Sequence, residues 1–187
     1  MENQVLSTIA ARRSHRRYKP DQLTEAQLET LIDAMLQSPS AHNQQPWHFS
    51  IVQNPELTQR LTEAARKQND QLPEAERSPR FDDPAFNIFY HAPTAILISA
   101  PDSTYSPIDC GIAVQTIALA AESMGLGSVI VGLVHHAFEG EESDALARAL
   151  QMPEGHKFRI SIAVGTPDDD KAAPRRDRSK DDRAGLR

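Results

Sequence analysis

The sequence predicts an α+β fold, with helices flanking a central sheet that is mostly antiparallel or mixed. Three observations carry this. Apolar residues recur at helical spacing in some segments, and cluster or alternate in short β-branched runs in others. The two kinds of segment do not follow a strict βαβ rhythm. No Gly-rich fingerprint follows a strand, which disfavours a doubly wound dinucleotide-binding fold. No internal repeat or domain-sized linker interrupts the chain, so residues 1–187 read as one domain, with 166–187 an extended tail.

The elements follow in order. Residues 3–12 read as a short helix with Val5, Leu6 and Ile9 near one face. The run 24–38 is a stronger helix. Thr24 and Gln27 form a capping box, and Leu28, Leu31, Ile32 and Met35 fall at i, i+3, i+4, i+7. Pro39 ends it. "HFSIVQ" (48–53) reads as a strand, and 54–68 as a helix capped by Asn54 with Pro55 at its first position. Residues 68–86 are polar and proline-punctuated, a long surface excursion read either as a lid or as a mobile loop. "TAILISA" (94–100) is a buried strand and 107–125 a central buried helix, stopped by Gly125 or Gly127. A strand at 128–134, a short helix at 143–151 capped by Ser143, and a strand at 158–165 complete the set. The remainder has almost no apolar residues and reads by composition as disordered.

A formal charge of −6 argues against wholesale binding to nucleic acid or anionic membrane. No apolar stretch nears the roughly 20 residues needed to span a bilayer, and "MENQVLSTIAARR" is not a secretory signal. Cys110 is alone, which excludes an internal disulfide framework and makes a reducing, cytoplasmic setting the default. Its apolar neighbours mark it as core.

Three places hold unusual residue choices. "RRSHRRYK" (12–19) packs Arg12, Arg13, Arg16, Arg17 and Lys19 around Ser14. Guanidinium forks and a hydroxyl match phosphate oxygens. The competing reading is a solvated face complementing a helix C-terminus. "SPSAHNQQPW" (38–47) puts amides and hydroxyls on a proline-stiffened connection. It reads equally as a reader of a flat polar heterocycle or as a turn that satisfies its own backbone. Trp47 reads as the loop's anchor in the core. In the tail, "RRDR" (175–178) supplies more guanidiniums. No catalytic constellation stands out. His135 and His136 are adjacent, without the i, i+4 spacing that aims two ligands from one helix face, and Asp168, Asp169 and Asp170 read as solvated. No metal site is expected. Such a chain suits a phosphate and a polar ring, with the reactive atom belonging to a cofactor. An anion- or RNA-binding module remains the competing class.

These residues resemble the FMN-dependent nitroreductase superfamily. "RRSHR" is similar to its Arg-x-Ser-x-Arg/Lys motif, and "SPSAHNQQPWHF" to its Ser-Pro-Ser-x-x-Asn-x-Gln-Pro-Trp loop. The likeness continues through "HAPTAILISA", "SMGLGS", "VIVGLV" and "MPEGHKFRISIAVGTP" to a basic pair in the tail, in the same order over nearly the whole chain. The resemblance implies a nitroreductase-like fold and an intertwined homodimer with FMN at its interface. It also implies that the tail crosses to the partner. It implies phosphate contacts from Arg12 and Ser14, with Arg13 beside them, and a cation, Arg16, near the flavin N1 and O2. Pro39, Ser40 and His42 would lie against the ring from the other subunit, with the amides Asn43 and Gln45. Val131, Gly132 and Leu133 would bring backbone close to the flavin. Arg176 and Arg178 match the tail's basic pair, though Arg175 fits a shifted alignment. NAD(P)H would donate electrons, and a small electron-poor acceptor, such as a nitroaromatic or quinone, would take them by a ping-pong scheme. Reductive dehalogenation, flavin fragmentation and non-catalytic flavin binding occur to the same framework as alternatives. Arg13 and Arg17 are cations that some members lack, and His42 stands where several have a small residue. The segment 68–86 matches no known lid of the family.

Overall fold

The computed structural model describes residues 3–177. At its centre is a four-stranded sheet of order β1-β2-β4-β3, formed by β1 (His48–Val52), β2 (Thr94–Pro101), β3 (Gly127–Val131) and β4 (His156–Gly165). Every pairing is antiparallel, which resolves the expected mostly antiparallel or mixed sheet to its antiparallel form. The β2–β4 register shifts between Ile98 and Ser99.

Both faces of the sheet are buried, and the period of two in β2 divides its side chains between them. Ala95 and Leu97 join one core with α3 (Pro55–Asn69) and α5 (Ser143–Ala149). Ile96, Ile98 and Ala100 join the other, with α2 (Glu25–Leu36) and α4 (Ser106–Ser123). Trp47 belongs to this second core and is buried, as its anchoring role requires. Cys110 is buried there too, and burial pushes its thiol up to about 11, so it is packing rather than nucleophile.

Local signals explain most helix ends. The Thr24–Gln27 capping box forms in both directions. Asn54 caps α3 with Pro55 at its first position. Gly125, at φ 72°, stops α4, and the Leu126 N–H then donates to the Ala121 carbonyl. α1 (Gln4–Ala11) departs from expectation: it forms, but buries no residue, and Val5, Leu6 and Ile9 stand exposed.

Three expectations are corrected, and the surface excursion 68–86 proves anchored. The strand expected to reach residue 134 ends at Val131, because Gly132 turns the chain into a 3-10 turn, Leu133–Phe138, that buries Val134. Ser143 does not cap α5: Glu142 holds that position and makes no side-chain cap bond. Segment 68–86 is tied down. The Arg66 guanidinium donates to the carbonyls of Phe81, Asp83, Pro84 and Phe86, the Ser78 N–H donates to Asn69 Oδ1 at 2.7 Å, and Phe81 is buried. At the start of the tail Asp168 and Asp170 are exposed as expected, but Asp169 is not, and the backbone is paired. Tyr18 bridges Pro167 in antiparallel fashion, the Lys19 N–H donates to Thr166 O, and the Asp168 N–H donates to Arg17 O. Backbone pairing, invisible to composition, orders an apolar-poor segment.

Candidate functional site

The arginine-rich segment leaves α1 at Arg12 and runs along β3, where Ser14 pairs with Ser128 and the His15 N–H donates to Ser128 O at 3.0 Å. Asp169, from the tail, clamps it. Its carboxylate accepts from His15 Nδ1 at 2.5 Å, from the Arg16 amide at 3.2 Å and from Lys171 at 3.2 Å, and its side chain is only 8% exposed. Burial alone raises an aspartate's pKa. The hydrogen bonds from His15, Arg16 and Lys171 outweigh it, and the net position is below the ordinary value. Tyr18 completes the clamp by donating its hydroxyl to His15 O at 2.8 Å, and burial pushes its pKa up.

The cations of this segment divide into two kinds. Arg13 turns back onto its own helix, donating to the carbonyls of Ala10 and Arg12, while its Nε is buried without a partner. Part of its charge thus closes the C-terminus of α1, the helix-complementing role set out above. The Arg12 guanidinium makes no hydrogen bond or ion pair with a described residue. Arg16 lies over the Tyr90 ring at 5.7 Å from its centroid, leaving its five N–H donors without a described acceptor. Arg80 approaches the same ring at 5.8 Å and bonds the Tyr90 hydroxyl.

The amide-rich loop rests on the opposite core. Asp109, buried in the first turn of α4, accepts from the Ala41 N–H at 3.1 Å. Ser40 Oγ accepts from the Gln45 N–H, and Gln45 Nε2 donates to Asn43 Oδ1. His42, Asn43 and Gln45 all have positive φ, at 53°, 53° and 48°. Three non-glycine residues in that region within four positions mark a held, strained backbone. The loop therefore satisfies part of itself, as one reading had it. Ser40 Oγ and the facing amide groups of Asn43 and Gln45 are spent internally. The His42 ring, edge-on to Tyr105 at 6.3 Å, and the Asn43 amide nitrogen stay on the exposed side. Pro39 is exposed at the loop's entrance.

Val131 is buried at the end of β3, Gly132 is exposed and Leu133 half-buried. Val131 lies three residues along the strand from Ser128, about 10 Å at the usual rise. One edge thus carries cations at one end and a turning backbone at the other. Of the tail cations, Arg176 and Arg175 are exposed, and Arg178 lies outside the described residues.

Two of these groups lie at opposite ends of α4. α1 lies against the last turns of α4, with Val5 and Thr8 facing Thr116, Leu119, Ala120 and Ser123. The amide loop hangs from Asp109 at the other end of that helix, eleven residues from Ala120 and so about 16 Å away along the axis.

The donor set fits a phosphorylated flat heterocycle. Arg12, Arg16 and the Ser14 hydroxyl make no side-chain hydrogen bond with a described residue, and the loop offers neutral polar groups with no fixed charge. Sequence reasoning missed Asp109, whose role depends on a contact 68 positions away in the chain. It missed the Asp169 clamp for the same reason. It also set aside His135 and His136 without counting Glu139, three and four positions on.

Comparison with known proteins supplies a further constraint. A family profile described as "Nitroreductase family" matches residues 9–166. The structure superimposes on a nitroreductase with bound FMN from Desulfitobacterium hafniense DCB-2, with a TM-score of 0.91 and 30% identity, covering 98% of this chain and 99% of that one. A nitroreductase with bound FMN from Bacteroides fragilis NCTC 9343 gives a TM-score of 0.86 at 27% identity, with coverage of 99% and 97%. By sequence, an FMN reductase [NAD(P)H] of Bacillus subtilis strain 168 is 28% identical over 180 residues, 91% of this chain and 68% of its own length.

Proposed function

This chain belongs to the nitroreductase family, and from that premise we propose that it is an FMN-dependent oxidoreductase working as a homodimer, with each flavin held between two subunits. The observation that carries the reading is the pair of guanidiniums, Arg12 and Arg16, that flank Ser14 beside β3 and make no hydrogen bond or ion pair with a described residue. When bound, FMN supplies the atom that passes a hydride from NAD(P)H to an electron-poor acceptor such as a nitroaromatic or quinone, in two half-reactions that share one slot.

The protein's own residues bind and orient. Arg12 and Ser14 hold the phosphate. Arg16 sets a positive charge beside the polar edge of the ring, where negative charge develops on reduction. Val131 to Leu133 bring backbone to the ring. Pro39, Ser40, His42, Asn43 and Gln45 come from the second subunit. Asp109 keeps their loop in its strained shape, so little ordering entropy remains to be lost on binding. No side-chain nucleophile is required.

Two observations support the dimer. The separation of the amide loop from the arginine segment along α4 leaves a site built from both incomplete in one chain. In addition, Val5 and Leu6 of α1 and Ile108 of α4 are 66%, 63% and 58% exposed, and Ile9 and Ile112 join them. An apolar face of this kind marks an interaction surface. The tail is pinned as far as Lys171, and the exposure of Arg175 and Arg176 beyond it is consistent with a reach to a second subunit.

Anaerobic mixing of the FMN-loaded protein with NADH or NADPH tests the reading. Rapid bleaching of the flavin absorption, restored by a quinone, is expected. A protein that purifies without flavin and takes up none would overturn the flavoprotein reading. One that holds FMN but does not bleach would overturn the reductase reading.

A further inference from the structure

The turn after β3 carries a group of side chains that the flavin chemistry does not use. The sequence "HHAFE" places Glu139 four residues after His135 and three after His136, the spacings at which helical neighbours face each other. The turn Leu133–Phe138 realises this. One ligand-capable atom from each of His135, His136 and Glu139 lies within 4.8 Å of the other two.

Three details give the cluster the character of a coordination site. His135 Nδ1 lies 2.9 Å from the Gly132 carbonyl oxygen. A carbonyl only accepts, so Nδ1 carries the hydrogen and Nε2 keeps its lone pair. A ring oriented by a backbone carbonyl in this way is the usual arrangement of a metal-ligating histidine. His136 Nδ1 donates to Glu139 Oε2 at 2.9 Å, so the two groups already converge on one point, and a metal ion there would take the place of the shared proton. The two imidazoles, with centroids 3.8 Å apart, are turned to the same side of the turn. His136 is buried and fixed, while His135 and Glu139 are exposed and free to rotate the small distance that ligation at roughly 2.0–2.2 Å needs.

We propose that His135, His136 and Glu139 bind a divalent first-row transition-metal ion of the zinc, nickel or copper type, with water completing the sphere. Two imidazoles and one carboxylate suit these ions. Magnesium and calcium prefer all-oxygen sets. The bound ion ties Glu139, past the end of the turn, to its middle, and so braces the chain that follows Gly132.

The test uses untagged full-length protein, with FMN as purified, dialysed free of metal and titrated with Zn2+ by calorimetry and with Co2+ by visible absorption. One ion per chain is expected, with a Co2+ spectrum showing nitrogen ligation. His135→Ala and Glu139→Gln, both at exposed positions, should each weaken binding at least tenfold with the circular dichroism spectrum unchanged. His48→Gln, which alters the separate His48–His156 pair, should leave it as it was. Absence of stoichiometric binding, or equal affinity in His135→Ala, would overturn the proposal. So would a loss of binding in His48→Gln alone.

Discussion

Replacing Asp169 with Ala should both loosen the fold and weaken flavin binding, because one carboxylate holds the arginine segment to the tail. The substitution removes the acceptor of three donors: His15 Nδ1, the Arg16 amide and Lys171. Their worth is unequal. Lys171 is 37% exposed and contributes little once screened by solvent. The His15 bond joins side chains 12% and 8% exposed, so water does not readily replace the lost partner. A hydrogen bond to a charged group contributes ~1.5–3 kcal/mol net, and an orphaned buried donor adds its desolvation cost. A total of about 3 kcal/mol follows, which for a chain of this size lowers the melting temperature by roughly 6–12 °C. Urea unfolding of the apoprotein measures it, with the midpoint falling at constant slope. The pH dependence has a definite sign. The folded carboxyl titrates below its ordinary 3.8, so between the two values the unfolded chain binds more protons. The stabilisation is fully present above pH 3.8 and is lost as pH falls through the folded value, so wild type and variant converge in acid. A variant within 0.5 kcal/mol of wild type at neutral pH would refute the clamp. So would a penalty that persists unchanged in acid.

Other substitutions probe the remaining links. Arg12→Ala should weaken FMN binding about tenfold to a hundredfold, the worth of one charged hydrogen bond, as read by titration of apoprotein. An unchanged dissociation constant removes Arg12 from the phosphate site. Arg16→Gln should lower the two-electron potential of bound FMN by about 30 mV for each 1.4 kcal/mol of lost stabilisation. Spectroelectrochemistry at saturating FMN reads this, and an unshifted potential means Arg16 does no more than hold the phosphate or stack on Tyr90. Gly165→Ala should destabilise by about 1–3 kcal/mol, since its Cβ would lie 2.6 Å from Pro93 Cδ and 3.1 Å from Tyr18 Cδ1, where β4 meets the arginine segment. Thermal unfolding measures it, and a neutral result would mean the Pro93 ring yields freely.

Much of the framework was legible because it rests on local rules. Thr24 with Gln27, and Asn54 with Pro55, announce helix starts through neighbours in sequence. The alternation in 158–165 announces a strand, though not that its second half is buried on both faces. What escaped depends on distant partners. Composition marks the tail as disordered, yet residues 166–169 pair with 17–19 and place a carboxylate where His15 needs one. Segment 68–86 looks loose until Arg66 is seen threading four of its carbonyls. Val5, Leu6 and Ile9 of α1, with Ile108 and Ile112 of α4, look like core by periodicity but stand exposed. At the site, residue types suggested what is bound. They left open which cation turns back on its helix and which loop groups bond each other, and the structure assigns these to Arg13 and to Asn43 with Gln45.

The central claim is that the arginine segment of one subunit and the amide loop of another share each flavin. Mixed dimers test it most directly. One chain carries Arg12→Ala with Ser14→Ala, the other Ser40→Ala with Asn43→Ala, each pair chosen so that its own homodimer fails to retain FMN. If sites form between subunits, the mixed dimer contains one doubly damaged site and one built wholly from intact residues. The account predicts one FMN per mixed dimer, bound with wild-type affinity. A mixed dimer that retains no flavin would contradict it, because then each chain builds its site alone.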